Sequence, residues 1–410
     1  MSRLKISFIP TEVSGVNFYR CWQPAEALRA KGYDVAVLWY SSRMFIRDNW
    51  ELGLMDDNYA PKIIKDIEMA CFWADVVVWM AVHNELSWAL WQNMRLKYPN
   101  KKFIMEIDDN LLSIPSYNAA FEVYNHGNPM TQFAVEQMRK SDALVVSTPG
   151  LKEIYSEFAD KVYIIENVID ARIWPEANKP KRTINIGWVG GATHTEDLET
   201  VKDVIFQILA KHKNVNFVCL HGVPHFFKHL SHCRANNRPL ETPPCIECGG
   251  HPQIEWSPEF ASIKKYPKWV GGFKFHIGIA PLVDNNFNRG KSNLRWLEYS
   301  ALGIPTVASN VGHFKETLRD GETGFLVNSE NEWFNALERL LDDPGLRDNI
   351  GKNARREVMK NWCPKRTAEK YLSVFEEIHA RSNAKQFDDA GESVGRGSVQ
   401  PTVHDGASPS

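Results

Sequence analysis

Residues 287–310 read FNRGKSNLRWLEYSALGIPTVASN. A polar, glycine-bearing loop leads into apolar side chains at helical spacing, then Gly303-Ile304-Pro305, then a short run at 306–309 that suits a strand. Glycine followed by proline is a strong helix stop. The segment therefore reads as loop, helix 291–302, turn and strand. Just upstream, 276–282 (HIGIAPL) is another apolar run of strand length. Strand, helix and strand in this order form a parallel unit, and parallel sheets are covered by helices on both faces.

The same alternation extends in both directions. Strand runs at 184–189, 215–221, 276–282, 306–309 and 325–327 interleave with helices at 195–211, 291–302, 331–341 and 346–360. Toward the N-terminus, strand runs at 4–10, 34–40, 75–80, 102–108, 143–148 and 162–168 interleave with helices at 17–30, 84–96, 130–140 and 151–158. Between the two series, 169–183 is polar and carries prolines. The predicted fold is α/β: two Rossmann-like domains, 1–170 and 184–360, joined by a linker at 171–183 and facing each other across a cleft. Ligands of such sheets bind beyond the carboxyl ends of the strands. An insertion occupies 223–253. An amphipathic helix is expected over 361–381, and the Gly-, Ser-, Asp- and Pro-rich stretch 382–410 reads as disordered.

A length of 410 residues suits two or three domains. With 43% hydrophobic and 24% charged residues, the composition excludes a wholly disordered or collagen-like chain. Lys and Arg number 48 against 50 Asp and Glu, a net charge of -2, which argues against a general polyanion-binding surface but allows a local basic pocket. No run approaches the ~20 apolar residues of a membrane helix, and the first ten residues are too short for a signal-peptide core. Seven scattered cysteines suggest a reducing compartment, so the expected location is the cytoplasm.

The loop and helix at 287–310 hold the most chemistry. Ser292 or Asn288 is placed to cap the helix, whose free N–H groups would then face an anion. Lys291, Arg295 and Glu298 stand at i, i+4 and i+7 and share a face. Two readings stay open on spacing alone: a nucleotide laid along the helix, with cations at its diphosphate and a carboxylate at its ribose, or a surface ion-pair ladder.

The order of motifs adds to this. EYSALGIPTVAS (298–309), GHFKE (312–316), DGETGFLV (320–327) and HIGIAPL (276–282) together resemble the nucleotide-sugar signature of GT-B glycosyltransferases of the family-four, or group 1, type. The resemblance covers most of 184–360 and, more loosely, the first domain. It implies a C-terminal domain that binds a nucleotide-diphosphate sugar and an N-terminal domain that binds the acceptor. It also implies a last helix crossing back onto the first domain, and transfer with retention. Glu298 would hold the donor ribose, and Lys291 with Arg289 and the Ser292 turn would meet the diphosphate. The family carries a second Glu eight positions before the ribose Glu. Here that position is Gly290, and Asp284 and Asn286 are the nearest substitutes.

Other segments bear on the same cleft. In INIGWVGGATHTEDL (184–198), Gly190 and Gly191 let a backbone approach a ligand, and the resemblance puts Thr193 and His194 at the donor phosphates. The alternative is a plain cap at Thr195 and a solvated histidine. In TEVSGVNFYRCWQPA (11–25), Gly15 resembles the glycine of the first GT-B loop, and Arg20 is either a charge for the phosphate or an ordinary surface arginine. In KFIMEIDDN (102–110), Asp108 takes the place of a histidine in the resembling family. There it would orient the acceptor hydroxyl, accept its proton, or stabilise positive character at the anomeric carbon. Asp-Asp-Asn is also strong turn chemistry. The paired carboxylates would also suit a divalent metal, but the resemblance implies protein cations rather than a bound ion at the diphosphate. In the insertion, Cys245 and Cys248 form a C-x2-C knuckle, and Cys233 and His251, or another of the insertion's histidines (His225, His229, His232), would complete a structural zinc site; free thiols are the alternative.

The expected partners are a nucleotide-diphosphate sugar and a glycan, lipid-linked or other acceptor, the lipid-linked case bringing peripheral membrane contact. Extensive nucleic-acid contact is not expected. The rival readings are a nucleotide-sugar epimerase, a DNA-base glycosyltransferase, and a nucleotide-sugar-binding protein without catalysis.

Overall fold

The computed structural model describes residues 3–11, 15–38, 59–118, 120–125, 127–176, 183–191, 194–221, 232–233, 253–257, 261–262 and 265–394. The first domain holds a parallel sheet of β1 (Lys5–Ile9), β2 (Asp34–Val37), β3 (Val76–Met80), β4 (Lys102–Ile107), β5 (Ala143–Val146) and β6 (Val162–Ile164). The strand order is β2-β1-β3-β4-β5-β6. The run VVVWM of β3 is buried throughout, as a central strand covered on both faces must be. Its side chains alternate between two cores. Val77 and Trp79 meet Trp91 and Met94 of helix Glu85–Lys97, while Val76, Val78 and Met80 join the core of helix Gln23–Ala30. Asn84 and Ser87 form a reciprocal capping box at the start of Glu85–Lys97.

The second domain holds β7 (Ile184–Gly190), β8 (Val215–His221), β9 (His232–Cys233), β10 (Ile254–Ser257), β11 (Ile277–Ala280), β12 (Thr306–Ser309) and β13 (Phe325–Val327). Its order is β13-β12-β11-β7-β8-β10-β9, again parallel. In each sheet the order reverses beside the first strand of the domain, and the crevice opens beyond the strand ends at that switch.

The segment 287–310 divides differently from its reading in sequence. A short helix, Asn286–Arg289, comes first, and the longer one begins only at Leu294 and runs Leu294–Ala301. Neither Ser292 nor Asn288 caps it. Asn288 gives its amide to Asp197 and to the Val283 carbonyl, and the Ser292 hydroxyl is bonded to Asn167. The N-cap is Asn293, which makes no capping bond. Gly303 ends the helix at φ +71°, with the Ile304 N–H bonded to the Tyr299 carbonyl at 2.9 Å.

Three other elements differ from expectation. The helix read over 17–30 contains a π segment, Phe18–Trp22, before Gln23–Ala30. Pro24 has no N–H to give the Arg20 carbonyl, so the regular ladder cannot continue there. A helix at Tyr59–Trp73 was not read from the sequence. The last helix runs Pro364–Val394, past 381 and into the stretch read as disordered; no proline interrupts 382–394. It does cross back: Tyr371, Val374, Phe375 and Ile378 pack in one core with Ile6, Phe8 and Leu28. Of the proposed zinc ligands, Cys245, Cys248 and His251 lie outside the described residues, and only the backbone of Cys233 is described. Thr193 and residues 395–410 also lie outside them. Among the described residues no helix is long and apolar enough to cross a membrane.

Candidate functional site between the domains

A cavity of about 200 Å³ lies between the domains. The first domain contributes Tyr19, Asp108, Asp109 and Asn167 to its wall; the second contributes Trp188, His194, Lys291, Ser292 and Arg295 among others. The N-terminus of Leu294–Ala301 is thus turned toward the gap, and its first-turn N–H groups have no side-chain cap. Such a helix end favours an anion.

The expected ladder along the helix comes apart. Arg295 and Glu298 pair at 2.7 Å, but Lys291 lies before the helix and reaches across the gap to Asp109, also at 2.7 Å. Its ammonium lies 4.4 Å from the centre of the Phe287 ring. Glu298 is buried, with both carboxylate oxygens bonded. Oε1 accepts from the Tyr19 hydroxyl at 3.0 Å; Oε2 accepts from Arg295 and from the Tyr266 hydroxyl at 3.2 Å. Burial raises its pKa against the opposing pull of Arg295.

Asp108 and Asp109 follow the end of β4. The Tyr155 hydroxyl fixes their turn by donating to the Asp109 carbonyl and accepting from the Leu111 N–H, both at 2.8 Å. Asp108 is half-buried at the cavity wall. Its carboxyl is pushed up to about 7 by burial and by Asp109, while Arg20 and Lys291 pull it down.

His194 lines the cavity, and a partner that sequence reading missed holds it there. Its Nδ1 lies 2.7 Å from Asp197 Oδ2. A carboxylate only accepts, so Nδ1 donates and Nε2 is left for a ligand; it donates there only when the ring carries a second proton. The other oxygen of Asp197 accepts from the Val283 N–H and the Asn288 amide, each at 2.8 Å. One buried carboxylate thus ties the 194 turn to the 283–288 loop. The available signal was a histidine at a helix start with an aspartate three residues on.

Arg20 does not line the cavity. It is buried in the first domain, where its Nε donates to Glu106 at 2.7 Å and Nη1 to the Ile165 carbonyl and Asn167 Oδ1. The Tyr371 hydroxyl closes the other Glu106 oxygen at 2.6 Å. Arg20 reaches the cleft indirectly, through Asn167, whose amide donates to the Ser292 hydroxyl at 3.0 Å, and through its charge, which acts on Asp108. Arg289 turns away to Asp284 at 2.7 Å, each 59% exposed at its side chain. Gly15, Gly190 and Gly191 are absent from the described wall as well. A Cβ at Gly15 would meet nothing within 4 Å, whereas one at Gly190 would strike the Trp188 indole at 2.4 Å. The missing side chain at 190 serves packing.

Sucrose-phosphate synthase from Thermosynechococcus elongatus superposes at a TM-score of 0.62 with 15% identity, over 92% of this chain and all of that one. Anabaena HepE in complex with UDP-glucose superposes at 0.60 with 12% identity, over 92% and 100%. The fold is GT-B. Residues 294–357 match the family model described as glycosyl transferases group 1. The D-inositol 3-phosphate glycosyltransferase of Paenarthrobacter aurescens is 43% identical over 60 residues, 14% of this chain and 15% of that protein. The chain spans 15%, 20% and 22% of the first three curated relatives it matches.

Within this GT-B arrangement Gly290 has a packing reason. A Cβ there would lie 2.8 Å from Leu151 Cδ2 of the opposite domain, and the Gly290 carbonyl accepts from the Thr148 hydroxyl at 3.0 Å. Phe287 enters the first domain's core beside this contact. A side chain at position 290 would require Leu151 to shift while the loop docks this way. Of the two nearest substitutes, Asp284 is engaged with Arg289; at Asn286 it is the backbone carbonyl that accepts from the Asn110 amide, at 3.1 Å.

Proposed function

We propose that this chain is a glycosyltransferase that moves a sugar from a nucleotide-diphosphate donor to an acceptor held by the first domain. One observation carries the reading. The uncapped start of helix Leu294–Ala301 borders the interdomain cavity, with Lys291 immediately before it and Glu298 on it. A pyrophosphate at that tip would meet backbone N–H groups and Lys291. The leaving nucleoside diphosphate gains negative charge as the glycosidic bond breaks, so cations preorganised there stabilise the transition state more than the ground state. Glu298 would hold the pentose. The UDP-glucose bound by Anabaena HepE makes a UDP-hexose the first donor to test.

Asp108 lies at the strand end on the acceptor side and would orient the acceptor hydroxyl or take its proton. Retention follows from the resemblance of the second domain. No metal is given a part in the reaction. A zinc held by Cys233, Cys245, Cys248 and His251 would be structural, and metal analysis of the purified protein reads its presence directly. The free thiols Cys21, Cys71, Cys219 and Cys363 suit a cytoplasmic site of action.

A second reading, a nucleotide-sugar-binding protein without catalysis, is favoured by the glycine at 290. UDP release from UDP-glucose, with glucose appearing on an acceptor from a glycan or lipid-linked set, supports transfer. Tight binding of UDP-glucose with no turnover supports the second reading. A converted sugar released without any acceptor would make the chain an epimerase.

A further inference from the structure

Tyr19 crosses the cleft from the first domain to the second. It sits in the π segment Phe18–Trp22, next to Arg20. Successive side chains on a helix point in different directions, and these two separate completely. Arg20 anchors the segment on Glu106 inside the first domain, and Tyr19 joins the second domain's core with Trp296 and Leu297. Its hydroxyl donates to Glu298 Oε1.

The two oxygens of Glu298 therefore differ. Oε2 is tethered within its own domain by Arg295 and Tyr266, whereas Oε1 is closed from the far side by Tyr19 alone among its described partners. Glu298 is 4% exposed and does not line the cavity, so no space remains for a pentose while Tyr19 is in place. The cavity, about 200 Å³, falls below the ~300 Å³ at which ligand pockets begin.

We propose that Tyr19 is a built-in competitor for the donor pentose: its hydroxyl stands where a ribose hydroxyl binds Glu298, and the nucleotide enters by displacing it. This rests on the donor-site reading above. The π segment suits the movement, since such turns lack the regular ladder and recur at functional sites. Arg20 stays fixed, so displacement re-aims Tyr19 without unseating the helix. The apparent affinity for nucleotide is lowered by the fraction of molecules in which Tyr19 holds the site.

The test is calorimetric titration of wild type and Tyr19→Phe with UDP and, separately, inorganic pyrophosphate, which fills the helix tip but carries no pentose. Tyr19→Phe keeps the packed ring and deletes the competing hydroxyl. UDP should bind the variant about fivefold more tightly, the equivalent of one net hydrogen bond of ~1 kcal/mol, and pyrophosphate should bind both proteins alike. In wild type, hydrogen exchange over residues 15–23 should rise on adding UDP and stay level with pyrophosphate; this arm needs no variant to fold. Weaker or unchanged UDP binding in Tyr19→Phe, an equal gain for both ligands, or UDP protecting 15–23 would overturn the proposal and leave the donor site standing. Failure of the wild type to bind UDP at all would overturn both.

Discussion

Asp108 is a carboxyl whose charge is set by its neighbours. Burial and Asp109 raise it to about 7, with Arg20 and Lys291 opposing. If it takes the acceptor proton, the transfer rate should climb through pH 7 and level off above it. Asp108→Asn should abolish that limb and lower kcat by roughly 10²–10⁴; a pH–rate profile measures both. The same shift acts on stability with a definite sign. The unfolded carboxyl ionises near 4, so between about pH 4 and 7 the unfolded state loses its proton first, and stability falls as pH rises across that window. Above 7 the penalty is constant, and Asp108→Asn should relieve it in melting curves at pH 8 more than at pH 4. Asp197 calls for a separate experiment. Asp197→Asn weakens the hold on His194 Nδ1 and the 283–288 loop, and a charged hydrogen bond is worth ~1.5–3 kcal/mol. UDP affinity, read by calorimetry, should fall by about tenfold or more; an unchanged Kd would remove His194 and its partner from the donor site.

Among the elements, the helix bearing Arg20, strand β4 bearing Glu106 and the last helix bearing Tyr371 meet in one buried polar knot. Arg20→Met would leave Glu106 buried without its cation and should cost about 3–5 kcal/mol. Thermal melting should show a large drop in Tm, and Arg20→Met with Glu106→Leu should recover most of it; no drop in the single variant contradicts the knot. These elements were unequally legible. The strands announced themselves, because VVVWM can only be buried and glycine-proline punctuation closes a helix. A single arginine at position 20 carries no mark of its partner 86 residues away, so its burial could not be read. Lys291 was placed on a helix because helical spacing continues through it, yet side-chain bonds to Asn288 and Ser292 delay the helix to Leu294. The Tyr59–Trp73 helix follows a long stretch without strand signal, where the alternation lost its guide.

For the molecule as a whole, the alternation of strand and helix runs foretold two parallel sheets and a cleft. The closeness of the domains was not foretold, because it depends on backbone meeting backbone. A Cβ on Gly150 would lie 2.6 Å from the Arg289 carbonyl, and Thr148, Asn110 and Lys291 each bond across the same seam. No spacing rule within one chain segment reports such an approach. The closed seam also packs Gly290 against Leu151 and keeps the cavity small. Donor entry must therefore part the domains at the seam or move side chains into solvent. The donor nucleotide would be received by the second domain's helix tip and Glu298. Titration of UDP-glucose into wild type, Lys291→Ala and Glu298→Ala by calorimetry measures this directly. Wild type should bind with a defined Kd, and each variant, titrated well below its own melting transition, should lose at least tenfold in affinity. Equal affinity in wild type and Glu298→Ala would contradict it.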